Sequence, residues 1–98
     1  MIRESVVVAR PHGVHALVAH ELVTLAAGFH SSIYLRAGGQ TASLRRAVDV
    51  LALGLQRGSA VDVWADGLDE GDALAAVVAA LTRTSEESGE APGRKGQS

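Results

Sequence analysis

Residues 60–66 alternate with a period of two, with Val61, Val63 and Ala65 on one side and Asp62, Trp64 and Asp66 on the other. A period of two marks a strand with one buried and one wet face, so the chain must build a sheet that is covered on a single side. The cover has to come from the rest of a chain of 98 residues, a length that supports one compact core and not two. Three stretches can supply it. Residues 16–27 place Ala19, Leu22, Val23 and Ala26 at helical spacing with Glu21 and Thr24 opposite, and Gly28 is the expected stop. Residues 46–53 are apolar at Val48, Val50, Leu51 and Leu53 and stop at Gly54, which predicts a short helix. Asp69, Glu70 and Asp72 load acid into the start of a third helix, apolar at Leu74, Val77, Val78 and Leu81 and ending near Arg83. Those carboxylates complement the positive end of the helix dipole, which accounts for them better than catalysis does.

The remaining strands follow from composition and turns. Residues 2–9 end in the β-branched run Val6-Val7-Val8, residues 10–15 read as a loop, and residues 32–36 and 40–44 form a hairpin around Gly38-Gly39. Residues 55–58 connect the short helix to the alternating strand. The order strand, helix, strand, strand, helix, strand, helix predicts an α+β open-faced sandwich, one four-stranded sheet with three helices on one face. Residues 84–98 hold no large apolar side chain and are rich in Gly, Ser and Glu, so residues 1–83 are expected to be the domain and 84–98 a disordered tail.

Composition excludes several function classes. Apolar residues make up 47% of the chain, yet Trp, Tyr and Phe occur once each, so the core is aliphatic. A net charge of −2 with dispersed arginines offers no field for nucleic acid. The absence of cysteine removes disulfides and thiolate chemistry. No long apolar span and no signal-like N-terminal run are present, so a cytoplasmic protein without membrane insertion is expected, and a monomer. No HxxxH pair or acidic triad suggests a metal, and no cofactor is expected.

Arg10-Pro11-His12-Gly13-Val14-His15-Ala16-Leu17-Val18 carries the chemistry. His15 follows a glycine turn and sits at the mouth of the first helix, where unpaired backbone N–H groups and the dipole favour an anion and disfavour an imidazolium. None of Gly13, Val14 or Ala16 is a good N-cap, which leaves the first-turn amides of Ala16 and Leu17 to bind phosphoryl oxygens. Taken alone, His12, His20 and His30 read as solvated surface histidines, and Trp64 as an ordinary exposed aromatic.

Gly13-Val14-His15-Ala16, Gly39, Leu53-Gly54-Leu55, Gly58 and Ala65-Asp66-Gly67 before Asp69-Glu70 occur in one register over residues 3–83. In that register the chain resembles HPr, the histidine-containing phosphocarrier of the bacterial sugar phosphotransferase system. The resemblance implies an antiparallel sheet. It also implies that His15 is phosphorylated on its δ nitrogen by phospho-enzyme I and discharged to enzyme IIA components. It implies a partner surface taking in His12, His20, Val48 and Leu51, although core packing is expected to claim at least one of the last two. Two departures stand out. The family motif continues Ala-Arg-Pro after the histidine, whereas Leu17 and Val18 stand here, and leucine cannot replace a guanidinium's fork of donors. Arg10, Arg36 and His12 are the candidates to restore positive charge. The family's regulatory serine falls at Arg46, which has no hydroxyl. A phosphocarrier is the leading reading. A diverged regulatory or binding module that transfers weakly because of Leu17, and an unrelated small α+β domain, are the alternatives.

Overall fold

The alternating segment lies inside the sheet. In the computed structural model, which describes residues 1–85, β4 (Ala60–Gly67) is flanked by β1 (Ile2–Val7) and β2 (Ser31–Ala37), and β3 (Gln40–Ser43) pairs beyond β2. The sheet order is β1-β4-β2-β3 and every pair is antiparallel. The register sets Val63 beside Leu35 and Ala65 beside Ile33, so one face is continuous aliphatic surface. Helices α1 (Ala16–Ala26) and α3 (Glu70–Thr82) bury Val18, Ala19 and Leu22, and Leu74, Val77 and Leu81, in the same core. The short helix α2 (Ala47–Ala52) packs against α1. On the uncovered face Arg3, Trp64 and Tyr34 form one cross-strand row, with the Arg3 guanidinium 5.2 Å from the centre of the Trp64 ring. This cation–π contact shields part of the indole from water.

Three local expectations are corrected. Helix α1 does not end on a left-handed glycine at Gly28. The last turn tightens instead, with the Gly28 N–H donating to the Leu25 carbonyl and the Phe29 N–H to the Ala26 carbonyl, each at 3.1 Å. The first strand stops at Val7, because Val8 turns into the core and pairs with the connector, its N–H donating to Ser59 at 2.9 Å. On α2 neither Val48 (63% exposed) nor Leu51 (38% exposed) is a core residue, and Val50 alone is buried. A helix of fewer than two turns lying along one neighbour turns only one such position inward. Of the expected disordered tail, Thr84 and Ser85 are described and exposed, and the rest lies outside the described residues.

The acidic start of α3 has a structural use beyond the dipole. The Asp69 carboxylate accepts the His30 N–H at 2.9 Å and the Ser31 hydroxyl at 2.6 Å, fastening the start of β2 to the start of α3. Glu70 accepts the Gly67 N–H at 3.3 Å and the Met1 ammonium at 3.0 Å. Gly67 itself passes so close to the chain that an added Cβ would lie 2.4 Å from the His30 carbonyl. The hydrogen bonds from His30 and Ser31 hold the Asp69 carboxyl below its ordinary value of 3.8. A depressed carboxyl pKa contributes stability that is fully present above the ordinary value and lost as pH falls through the depressed one. Asp69→Asn should therefore lower the denaturation midpoint at neutral pH, and the gap to the parent protein should narrow in acid well below 3.8. Urea titrations of both proteins at the two pH values check this.

Candidate functional site

The loop between β1 and α1 is held at each end by backbone bonds. At its entry the Ala9 N–H donates to the Leu81 carbonyl at 3.0 Å, near the end of α3. At its exit the Val14 N–H donates to the Leu55 carbonyl at 2.9 Å, and the Val14 side chain is buried. Between them Gly13 adopts φ +68° and donates to the Arg10 carbonyl at 3.0 Å. An added Cβ at Gly13 would lie 2.6 Å from the Leu55 carbonyl oxygen and 2.7 Å from the Gln56 Cα. Only glycine meets both demands, a left-handed backbone and direct contact with the connector.

This turn delivers His15 to the N-cap of α1. Its backbone is extended (φ −89°, ψ −176°) and its carbonyl accepts the Ala19 N–H at 2.9 Å, the first bond of the helix. No side chain caps the helix and its first turn has no acidic residue. The amides of Ala16 and Leu17 belong to the set a helix start leaves without an intrahelical acceptor. An imidazole beside such a start is placed to bear an anion that the amides can also contact. His15 is partly exposed, whereas His12, three residues upstream, and His20, in the second turn of α1, are exposed. Leu17 is 67% exposed, so the position that departs from the family motif faces solvent.

The structure thus puts His15, Ala16 and Leu17 at one point, with His12 on the same loop. Val48 and Leu51 lie exposed on α2, which packs on the helix that His15 caps. Among the described residues no three His, Asp or Glu side chains gather as a metal site. Of the cations that could replace the missing arginine, Arg10 is turned inward: it is 1% exposed and its guanidinium serves the Ala80 carbonyl and Glu21. Arg36 stands on the uncovered face of the sheet, in register with Asp62 and 3.5 Å from the Thr41 hydroxyl. His12, the third candidate, is exposed on the loop that carries His15. Arg46, where the family's regulatory serine falls, is the N-cap residue of α2 without a side-chain cap bond and pairs with Asp49 at 3.4 Å. Two contributors to the site escaped the sequence reading. The Leu55–Gln56 backbone as the floor under Gly13 is a contact across more than forty positions, signalled only by the glycines that bracket the connector. The burial of Arg10 had no sequence signal, since its partners lie on other elements.

Comparison with known proteins places this geometry. The family model for the phosphorylation site of the PTS HPr component matches residues 2–83. The phosphocarrier HPr of Bacillus anthracis superposes with a TM-score of 0.79 at 26% identity, covering 82% of this chain and 95% of that one. HPr-C-His of Thermoanaerobacter tengcongensis gives 0.78 at 26% identity, covering 83% and 91%. The catabolite-repression protein Crh of Bacillus subtilis, solved as a domain-swapped dimer, gives 0.69 at 25% identity, covering 89% and 100%. The antiparallel order and the one-sided helical cover agree with the fold these relatives share. Since the sheet, all three helices and the His15 loop fall inside the matched span, the chain belongs to the HPr family, the phosphocarrier components of the phosphotransferase system.

Proposed function

We propose that His15 accepts a phosphoryl group from phospho-enzyme I and passes it to enzyme IIA-type partners in the cytoplasm, the protein acting as a monomeric carrier. The observation that carries this reading is the start of α1, where His15 is the N-cap, no side-chain hydrogen bond caps the helix and the first turn carries no acidic residue. The ring attacks phosphorus in line through the lone pair of its δ nitrogen; the phosphorus–nitrogen bond to enzyme I breaks as the new one forms, and the amides of Ala16 and Leu17 take the charge on the transferred oxygens. No metal or cofactor is required by this step. Exposed Leu17, Val48 and Leu51, with His12 and His20, supply a mixed apolar and polar surface for both partners, and surface leucine or valine without core contacts suits transient docking. Phosphoenolpyruvate and enzyme I should add one acid-labile phosphoryl group per chain, and His15→Ala should take up none, as read by mass spectrometry.

A slower, regulatory version of the same carrier is the second reading, favoured by Leu17 in the family's arginine position and by the inward turn of Arg10. Leu17→Arg restores a charge-assisted donor beside the phosphoryl group and should raise the transfer rate by roughly tenfold to a hundredfold, with a steeper salt dependence. The helix tolerates the change, since the two residues have similar propensity and position 17 is exposed. Rapid-quench transfer from phospho-enzyme I to both forms checks it. An unchanged rate would mean that the missing arginine does not limit this carrier.

An ATP-dependent HPr serine kinase should leave the start of α2 unmodified, because Arg46 occupies the place of the hydroxyl. The nearest serine, Ser43, lies on β3 and accepts the Arg45 N–H at 3.2 Å. Phosphopeptide mapping after kinase treatment should find no stoichiometric phosphoserine there.

A further inference from the structure

Arg10 is the one charged side chain in the buried set of the described residues, and it is attached to the loop that carries His15. One terminal nitrogen of its guanidinium donates to the Ala80 carbonyl at 3.0 Å, in the last turn of α3. Both terminal nitrogens lie 3.4 Å from the two carboxylate oxygens of Glu21, on α1. The same Glu21 carboxylate also receives Arg83, which follows α3. A guanidinium is suited to this position, because its planar fork can serve a carboxylate and a carbonyl together and its charge favours a helix C-terminus.

The backbone of Arg10 is equally committed, since its carbonyl accepts the Gly13 N–H at 3.0 Å and the preceding Ala9 N–H donates to Leu81. The first residue of the loop is therefore tied to α3 and to α1, and the turn at Gly13 hangs from it. Loss of the side-chain ties would let residues 10–12 shift and, through the Gly13 N–H that the Arg10 carbonyl accepts, would move the turn that carries Val14 and His15. Glu21 would keep Arg83, so its carboxylate would not be stranded, but the Ala80 carbonyl would lose its side-chain donor and some stability with it, which is why the comparison is made where the variant is folded.

We infer that Arg10 is a positioning residue for His15, acting through the loop, with Glu21 as the counter-ion that holds it. The inference rests on His15 being the phosphoryl acceptor. A displacement near 1 Å of a reacting group is enough to lower a rate by an order of magnitude or more. Arg10→Met should therefore slow phosphoryl transfer from phospho-enzyme I about tenfold or more at a temperature where circular dichroism shows the variant fully folded. It should also move the His15 ring resonances in a proton–nitrogen correlation spectrum. Arg10→Lys, which can reach one partner but not span both, should recover part of the rate. Arg83→Met removes an equivalent ion pair to the same carboxylate without touching the loop, and should leave the rate within about twofold and the His15 resonances in place. Transfer by Arg10→Met within twofold of the parent, with unmoved His15 resonances, would overturn the inference, as would equal slowing in Arg83→Met. If the parent protein took up no phosphoryl group, the assignment of His15 would fall, while the ring resonances of the three variants would still decide whether Arg10 sets the position of that side chain.

Discussion

The approach of Gly13 to the backbone of Leu55 and Gln56 is the contact on which the placement of His15 depends. It brings two loops together at a distance no side chain allows, and the Val14 N–H closes it on the Leu55 carbonyl. Through that bond the connector before β4 and the loop after β1 become one unit. The same connector is tied to the end of β1, where the Gly58 N–H donates to the Val8 carbonyl at 2.8 Å. The loop is thus as rigid as the sheet edge beneath it, although it has no regular structure. Such rigidity suits the carrier role proposed for His15, because a reacting group held in place before it meets a partner loses less rate to misplacement.

The one-sided sheet explains how a small chain can offer so much surface to partners. All large aliphatic positions of β2 and β4 point to the helices, and the opposite face carries Arg3, Tyr34, Arg36 and Trp64, with Arg3 over the Trp64 ring. The helical side, in contrast, keeps Leu17, Val48 and Leu51 outside the core. These apolar side chains lie at the start of α1 and on the short helix packed against it. Their exposed apolar area is available to the surface of a partner.

Charge is handled in two distinct ways. At the start of α3 the carboxylates of Asp69 and Glu70 stay near solvent and gather backbone N–H groups, a hydroxyl and an ammonium, each bond modest and screened. At the opposite end of α3 Arg10 is withdrawn from water altogether, where its bonds to Ala80 and Glu21 must offset its desolvation. The first arrangement fastens β2 to α3. The second ties α1, α3 and the His15 loop at one point.

Local pattern alone determined the element order, the single-sided sheet and the position of His15 at a helix start, because each rests on neighbours in the chain: the period of two at 60–66, the helical spacing of Leu22 and Leu74, the glycine before Val14. The tight last turn of α1 was missed because Gly28 also fits a left-handed cap, and only the path of Phe29 into the core selects between the two. The exposure of both Val48 and Leu51 was missed because periodicity marks an apolar face and not what covers it. Tertiary structure decided two further matters: the floor under Gly13 and the inward turn of Arg10. Each is a contact between elements far apart in the chain. In an isolated loop the charged side chain of Arg10 would stay in water, and only the end of α3, where the Ala80 carbonyl accepts it, together with the carboxylate of Glu21, offsets its desolvation and holds it in the interior.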